Sequence, residues 1–346
     1  MSTRDRIWFA VVIGLAALSV GLKAGSVRGQ IVFGAASVAL VGLAWLLGEA
    51  TDQAGNTAGP RASALLNATF GNLPEVVIVI LAINAGLADI ARASIIGSVI
   101  GNILLILGLS LVLGGWKNGI QTFNERVAAM NSSMLILGVA GLGFPTLFAA
   151  LHPAGSAEVL SRWTGAALLV CYGAYLVFSF SMPGQKFEDE AGHARWSVRE
   201  AVAALAVTAV ATGVVSEVLV DSIKPTVEAL GVPRPFVGLI LVPFVGNVAE
   251  HFSAVRLAYR NRVDFSMAIA YGSGIQIALG ASGIAVFASI VLGSELSLVF
   301  DPLQLAALAA AALVATLVAR GGETNWLEGL QLLVIYLIVS VAVWLQ

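Results

Sequence analysis

The sequence predicts an all-α, polytopic membrane protein with eleven transmembrane helices, built from an inverted five-plus-five helix repeat and an extra N-terminal helix. Three observations predict this fold class: the composition, the number of apolar segments and an internal repeat. Of 346 residues, 58% are hydrophobic and 11% are charged, whereas soluble domains carry about 25% charged residues. The composition therefore excludes a soluble enzyme, a disulfide-rich secreted domain and a disordered chain.

Charge and metal-binding residue types narrow the function further. The net charge is −2, and a chain without a basic field is not expected to bind nucleic acid. The single cysteine, Cys171, cannot form an internal disulfide. The three histidines lie far apart, without a zinc or haem motif. We therefore expect neither an enzyme nor a resident cofactor. The lipid bilayer is the expected partner, and the sequence does not indicate an oligomeric state.

Eleven apolar segments approach the length of about 20 residues that a helix needs to cross a bilayer. The first is expected to be retained as a span, because no convincing small-residue cleavage site precedes Lys23. The predicted spans cover residues 6–23, 29–49, 62–87, 92–115, 127–150, 159–182, 197–220, 233–258, 264–293, 303–320 and 326–345.

The distribution of lysine and arginine predicts the orientation. With eleven spans, the loops on the N-terminal side hold twelve of these residues and the opposite loops hold six. Because positive residues concentrate in cytoplasmic loops, we expect the N-terminus in the cytoplasm and the C-terminus outside or in a lumen. Fourteen arginines against four lysines favour a bacterial cell (inner) membrane, with a vacuolar-type membrane as the alternative.

The third observation is a repeat at an offset of 175 residues. Gly71-Asn72-Leu73-Pro74-Glu75 aligns with Gly246-Asn247-Val248-Ala249-Glu250, and Gly97-Ser98 aligns with Gly272-Ser273. Asp89 and Gly108 align with Asp264 and Gly283. The two glutamates lie five predicted helices apart. Since five is odd, the halves must cross the membrane in opposite senses, as in secondary transporters with a midplane site.

The repeat also predicts the domain organisation. Residues 1–28 form the extra N-terminal helix, and residues 29–184 form the first half, which contains helices two to six. Residues 185–196 are polar and acidic and are expected to be a cytoplasmic linker, although attraction of cations is a second interpretation. Residues 197–346 form the second half, which contains helices seven to eleven.

Two glutamates in otherwise apolar spans are the first candidate site residues. A charged side chain at the bilayer centre costs about 2.5–3.5 kcal/mol on insertion scales, so a pair at equivalent positions needs compensation. A bound cation supplies it. Helical spacing of three or four residues places polar partners on shared faces. These faces hold Asn72 with Glu75, Asn247 with Glu250, Ser98 with Asn102, and Ser273 with Gln276.

Helix-breaking residues accompany both motifs. Gly71 with Pro74, and Pro243 with Gly246, are expected to interrupt the helical hydrogen bonds and release carbonyl groups. Irregular backbone at membrane depth is tolerated only where it lines a polar cavity. Carboxylate, amide, hydroxyl and carbonyl oxygens are hard ligands, which suit Ca²⁺ at 6 to 8 coordination.

The same glutamates can bind protons, because burial favours the neutral form of a carboxyl group. Two protons or one divalent ion then neutralise the pair equally well. If the helices reorient only when the charge is cancelled, the protein exchanges one for the other. We therefore expect an antiporter, with Glu75 and Glu250 as the residues that couple the two ions.

At these residues the sequence resembles the Ca²⁺/H⁺ exchanger (CAX) family of the cation/Ca²⁺ exchanger superfamily. The resemblance covers predicted helices two to eleven and rests on Gly-Asn-x-x-Glu followed by Gly-Ser in the next helix. Its second copy, which continues through His251 and Gln276-Ile277-Ala278, is the more specific. The resemblance implies alternating-access exchange of H⁺ for Ca²⁺ or other divalent cations, with Glu75 and Glu250 as central ligands. The lesser ligands that it implies are Asn72, Asn247, Ser98, Ser273, Asn102 and Gln276.

Two alternatives for the transported ions stay open at this point. Leu73-Pro74 replaces the Ala-Thr usual in the exchangers that the chain resembles and is closer to the Na⁺/Ca²⁺ exchanger branch. Against a Na⁺-coupled exchanger, the helix after Glu250 carries Ser273 and Gln276 rather than an additional acid. A passive cation channel and an intramembrane hydrolase are the alternatives from other classes. His251 is either a proton relay or a structural hydrogen-bonding residue.

Overall fold

The computed structural model describes residues 1–58, 65–67, 69–152, 155–181 and 195–346. Within these ranges the protein is helical apart from loops and one pair of two-residue strands, β1 (Gln121–Thr122) and β2 (Glu323–Thr324), which pair antiparallel. The helices are α1 (Thr3–Ala24), α2 (Gly29–Ala58), α3 (Leu73–Asn84), α4 (Ala88–Asn118), α5 (Glu125–Leu151), α6 (Ala157–Ser181), α7 (Val198–Leu230), α8 (Arg234–Val248 and Glu250–Tyr259), α9 (Val263–Val291), α10 (Pro302–Val318) and α11 (Trp326–Trp344).

Hydropathy and length confirm a polytopic membrane protein. Among the described residues, seven helices are long and apolar enough to cross a membrane, and the two arms of α8 make an eighth if they form one span. The helices α3 and α10 are apolar but shorter, with 12 and 17 residues. The all-α class is therefore confirmed, while the count of eleven spans stays a prediction.

Three predicted spans differ clearly from the observed helices. The second was expected to end at residue 49, but α2 continues to Ala58. In the third, residues 65–67, 69 and 70 are helical, Gly71 and Asn72 form a turn, and the helix restarts at Leu73. The seventh was expected to end at residue 220, but α7 continues to Leu230, where Gly231 adopts a left-handed conformation. The extra turns carry charged residues, which predicted the end of the apolar span. Charged residues are compatible with a helix, so the helical hydrogen bonds continue beyond the apolar segment.

The first compact unit comprises residues 1–81 and 173–232. Its centre is the pairing of α2 with α7, and α1 packs against both. A buried cluster joins α2 to the beginning of α7 and to Trp196, which is 4% exposed. The remaining members of this cluster are Leu47, Ala50, Ala54, Ala201, Ala204 and Leu205.

Polar contacts fasten both ends of α1 within this unit. At one end, the N-terminal ammonium lies 2.7 Å from Glu200 Oε2, and Trp196 Nε1 donates to Asp5 at 3.0 Å. At the other end, Lys23 forms an ion pair with Asp221. These groupings agree with the sides predicted for the loops. Of the predicted acidic linker, residues 185–194 lie outside the described residues.

The second compact unit comprises residues 82–172 and 233–346. Its central helices, α4 and α9, are 83% and 67% buried over their most apolar windows, more than any other candidate span described. Helix α4 packs against α8 and α11, and α9 packs against α8 and α5. The unit therefore surrounds the Gly-Ser segments of both sequence repeats with protein.

Gly97 permits a very close approach between α4 and α8. A Cβ atom at Gly97 would lie 2.0 Å from the Leu239 carbonyl oxygen and 2.7 Å from Pro243 Cγ. Across the same contact, a Cβ atom at Gly238 would lie 2.7 Å from Ala93 Cβ. Only glycine fits at position 97, so the Gly97-Ser98 motif has a packing role in addition to its proximity to the candidate site.

Two π-helical segments interrupt the central helices at equivalent positions. They cover Gly101–Ile106 in α4 and Gln276–Ala281 in α9, an offset of 175 at both ends, which is the offset of the sequence repeat. At the ends of these segments, the Leu107 N–H donates to Asn102 O and the Ser282 N–H to Ile277 O. Such widened turns are frequent at functional sites because they re-aim side chains.

Candidate functional site

Helix α8 carries the second Gly-Asn-x-x-Glu motif and is interrupted twice. Its segment Val237–Leu241 is π-helical, and the α-helix resumes at Val242 with Pro243 as its second residue. The Val242 N–H still donates to the Val237 carbonyl across the π-helical turn, and Pro243, which has no N–H, follows directly after it. The axis then bends by 68° between Val248 and Glu250. The break expected at Pro243 and Gly246 is not observed, because the α-helix Val242–Tyr259 continues through both residues. The irregular backbone lies before Pro243, in the π-helical segment, and after Asn247, at the bend.

The first motif is interrupted at the predicted residues. Gly71 and Asn72 form a turn, and α3 begins at Leu73 with Pro74 as its second residue. Glu75 lies in the first turn of α3 and is 3% exposed, and Asn72 is 6% exposed. The N-terminal end of a helix stabilises a nearby negative charge through its unpaired N–H groups. The beginning of α3 therefore places a partial positive charge close to the Glu75 side chain.

In the second compact unit, five predicted site residues form one polar network, which Ser98 joins through its backbone carbonyl. Asn102 Nδ2 donates to Ser273 Oγ at 2.9 Å and lies 3.5 Å from Asn247 Oδ1. Ser273 in turn hydrogen-bonds to the Glu250 carboxyl group. The same Asn102 amide donates to the Ser98 carbonyl oxygen at 2.9 Å. Helices α4, α8 and α9 thus bring their motif side chains to one place.

Three buried oxygens at this network receive no hydrogen bond from the described part of the chain. They are Ser98 Oγ, Asn102 Oδ1 and Glu250 Oε2. A buried polar atom that is left unpaired costs about 1–3 kcal/mol, and most such atoms in folded proteins are satisfied. Three of them together, on two helices, form a set of hard ligands for a cation or an acceptor for a proton.

The remaining candidates lie near the network but differ in burial. Gln276 is the first residue of the π-helical segment of α9 and is half-buried. His251 is 9% exposed, and its ring packs edge-on against Phe244 with centroids 5.5 Å apart. The contact with Phe244 gives His251 a role in packing. A proton relay through this residue stays a prediction.

Sequence reasoning missed the residues that hold the far end of α8. Gln121 Nε2 donates to the Ala258 carbonyl at 2.9 Å and to Asn261 Oδ1 at 3.0 Å. Asn118 Nδ2 reaches the Ala258 and Tyr259 carbonyls at 3.2 and 3.3 Å. Side-chain amides thus satisfy the last carbonyl groups of the helix that carries Glu250. The sequence shows two polar residues, Asn118 and Gln121, before the fifth predicted span. It does not show that they contact the end of α8.

No group of three or more histidine, cysteine, aspartate or glutamate side chains lies close enough to hold a metal among the described residues. A cation at the network would therefore depend on amide, hydroxyl and carbonyl oxygens in addition to carboxylate. This ligand set favours Ca²⁺ over Zn²⁺ and other metals that prefer nitrogen or sulfur.

Comparisons with known proteins agree with this ligand chemistry. The model of the sodium/calcium exchanger protein family matches residues 28–181 and 200–345. The chain belongs to this family. The two matched stretches leave out residues 1–27 and 182–199.

Relatives refine the assignment within the family. The chain is 34% identical to a Ca²⁺/H⁺ antiporter of Aphanothece halophytica, over 90% of this chain and 89% of that protein. It is also 34% identical to the Ca²⁺/H⁺ antiporter ChaA of Bacillus subtilis, over 99% of each. The solved structure of native YfkE superimposes with a TM-score of 0.86 at 32% identity, covering 98% of this chain and all of that one. The resemblance to Ca²⁺/H⁺ exchangers predicted from the motifs is confirmed.

Proposed function

We propose that this protein is a secondary active antiporter that exchanges Ca²⁺ for H⁺ across a membrane by alternating access. The names of its relatives, which are Ca²⁺/H⁺ antiporters, support the pair of ions. The observation that carries the proposal is the set of unpaired buried oxygens of Ser98, Asn102 and Glu250. Transport rather than catalysis is the function that such a site in a membrane-spanning bundle favours, and Ca²⁺ and H⁺ are its substrates.

Glu75 and Glu250 bind either Ca²⁺ or protons in this proposal. The sequence repeat supports it, because each glutamate follows the same Gly-Asn pair. Both also follow an interruption of their helix, at Gly71-Asn72 and between Val248 and Glu250. Two negative charges within an apolar bundle are costly, whereas one divalent cation or two protons cancel them. If only a site that holds Ca²⁺ or protons can reorient, the Ca²⁺ flux and the H⁺ flux are coupled.

The lesser ligands divide into two groups. Asn102, Asn247 and Ser273 are joined by the hydrogen bonds of the network and would supply amide and hydroxyl oxygens. The oxygens of Asn72, Ser98 and Gln276 complete the proposed set. His251 lies beside Glu250 in sequence, and its proposed relay of protons is secondary to the role of the carboxyl groups.

The proposed orientation places the N-terminus in the cytoplasm of a bacterial cell and the transporter in its cell membrane. The excess of lysine and arginine in the loops on the N-terminal side supports it. The grouping of Met1, Asp5 and Trp196 at one end of α1, with Lys23 and Asp221 at the other, agrees with the alternation of loops. Labelling of single cysteines introduced at residues 2 and 346 in intact cells tests the orientation.

Na⁺ is the competing coupling ion, favoured by Pro74 in the first motif. The test uses sealed proteoliposomes that contain the full chain and a Ca²⁺-sensitive dye. We expect Ca²⁺ uptake when a pH gradient is imposed without Na⁺, and no uptake when a Na⁺ gradient is imposed at constant pH. Uptake driven only by Na⁺ would overturn the proposal. Ca²⁺ flux independent of either gradient, at rates far above transporter turnover, would instead indicate a channel.

A further inference from the structure

The second compact unit contains two cavities that the sequence repeat relates to each other. The smaller, of about 20 Å³, is lined by Phe123, Asn124, Val127, Asp264 and Met267 among others. The larger, of about 290 Å³, is lined at the corresponding positions by Phe300, Asp301, Gln304, Asp89 and Arg92. Asp89 and Arg92 precede Asp264 and Met267 by 175 residues, and Asn124 and Asp301 are the N-cap residues of α5 and α10.

The two cavities differ in the chemistry of equivalent positions. Where the smaller has Val127 and Met267, the larger has Gln304 and Arg92, and Arg234 at the start of α8 also lines it. Apolar side chains close the smaller cavity to about the size of one water molecule. The larger cavity has instead acquired polar and cationic walls at the positions that its counterpart fills with apolar side chains.

Of the two arginines that line the larger cavity, Arg92 has no ion-pair partner among the residues that the structure describes. Asp89 forms an ion pair with Arg234 at 3.4 Å. Asp301 accepts a hydrogen bond from the Leu303 N–H at 2.8 Å and lies 3.5 Å from the Gln346 side-chain amide. Arg92 is half-buried and makes neither a hydrogen bond nor an ion pair with any part of the chain that the structure describes. Asp89, which interacts electrostatically with Arg92, is already paired with Arg234.

Helix ends contribute partial positive charge to this cavity, whose own lining carries two arginines and two aspartates. Helices α4, α8 and α10 all begin at it, with Asp89, Arg234 and Pro302 in their first turns. The N-terminal end of a helix carries a partial positive charge and unpaired N–H groups. Phe236 and Trp344 stack edge to face beside it, with centroids 5.0 Å apart, and tryptophan is enriched where apolar spans meet the lipid headgroups.

We propose that this cavity, here called the Arg92 pocket (Asp89, Arg92, Arg234, Asp301 and Gln304), binds a phosphate group through Arg92 and Arg234. Arginine forks match phosphate oxygens with paired, charge-assisted hydrogen bonds. A cavity of about 290 Å³ at the end of the spans admits either the headgroup phosphate of an anionic phospholipid or free phosphate. This binding site is separate from the proposed Ca²⁺ ligands, so it does not depend on the proposed function.

The test compares the full chain with Arg92→Met, which introduces the side chain found in the related cavity. Arg320→Gln, an exposed arginine after α10, is the matched control for loss of charge. Native mass spectrometry counts phosphatidylglycerol retained from mixed phosphatidylglycerol and phosphatidylcholine nanodiscs. Thermal unfolding in detergent measures stabilisation by inorganic phosphate. We expect Arg92→Met, but not Arg320→Gln, to weaken binding about tenfold or more, and Arg92→Lys to retain part of it.

Each outcome decides the proposal or the source of the ligand. Selective loss of retained phosphatidylglycerol supports a lipid headgroup, and selective loss of stabilisation by inorganic phosphate supports free phosphate. Equal lipid retention and equal phosphate stabilisation in wild type and Arg92→Met would overturn the proposal. So would equal weakening in Arg320→Gln, because binding would then reflect only the total charge.

Discussion

The two Gly-Asn-x-x-Glu motifs have the same sequence pattern but different local structure. In the first, the helix is interrupted at Gly71-Asn72 and restarts at Leu73, so Glu75 lies in the first turn of α3. In the second, the helix passes through Gly246-Asn247 and bends by 68° just before Glu250. Proline explains part of this difference. Each restart places proline as its second residue, Pro74 in α3 and Pro243 after the π-helical segment of α8.

The difference teaches that the repeat conserves the ligand positions more strictly than the backbone that presents them. A proline one residue before Glu75 fixes the interruption inside the motif. In α8 the proline lies seven residues before Glu250. The α-helix there resumes at Val242, before the motif, and the bend lies separately, between Val248 and Glu250. The following predictions test whether equivalent positions in the two halves also have equivalent roles.

The largest expected effect comes from removing either acidic side chain. We expect Glu75→Gln and Glu250→Gln each to reduce Ca²⁺-driven proton flux in proteoliposomes to background, because a single remaining carboxylate does not balance Ca²⁺. Glu217→Gln on the exposed surface of α7 is the matched control and should retain wild-type flux. If only one of the two motif variants lost transport, the roles of the two halves would not be equivalent.

A second comparison uses the glycines that precede the two motif serines. A Cβ atom at Gly97 would overlap the Leu239 carbonyl, whereas one at Gly272 would meet no described atom within 4 Å. We expect Gly97→Ala to lower the unfolding temperature in detergent by about 5 °C or more, because neither backbone can shift freely. Gly272→Ala should leave it unchanged or raise it slightly, since alanine is the better helix former. Equal effects would contradict the close approach of α4 and α8.

The π-helical segments sharpen the comparison at the level of ligands. Their first two residues are Gly101-Asn102 in α4 and Gln276-Ile277 in α9, so the amide sits at a different position in each half. We expect Asn102→Leu to raise the half-saturating Ca²⁺ concentration about tenfold, equivalent to ~1.4 kcal/mol. Gln276→Leu should have a smaller effect because Gln276 is only half-buried. Transport kinetics at fixed pH measure both, and the reverse order would reject Asn102 as the better ligand.

The smallest expected effects concern the two ways in which the motif helices end. Helix α3 ends at Asn84 and is followed by a turn at Gly86, whose φ is +72°, where the Leu87 N–H donates to the Ala82 carbonyl at 2.8 Å. Helix α8 ends on the amides of Asn118 and Gln121. We expect Gly86→Ala and Gln121→Leu each to cost about 1 kcal/mol of stability. Thermal unfolding of the double variant should show additive losses, and a clearly non-additive loss would show that the two ends are coupled.

Much of this protein was determined by its sequence alone. The composition required a membrane protein, because 11% charged residues are too few to cover the surface of a soluble protein. The offset between Glu75 and Glu250 identified the duplication, and the adjoining glycines and prolines predicted interrupted helices in both halves. Composition, the repeat offset and the positions of glycine and proline are local or periodic features. They can be recognised without knowing which helices are in contact.

Only the tertiary structure decided how the polar side chains are paired. No spacing in the sequence indicates that Asn102 contacts Ser273 and Asn247. Nor does it indicate that Gln121 caps α8, or that Asp89 pairs with Arg234 rather than with Arg92. The π-helical segments were equally invisible, because they depend on how α4 and α9 pack rather than on residue preferences. Partners distant in sequence are chosen by packing, and packing is a property of the folded chain.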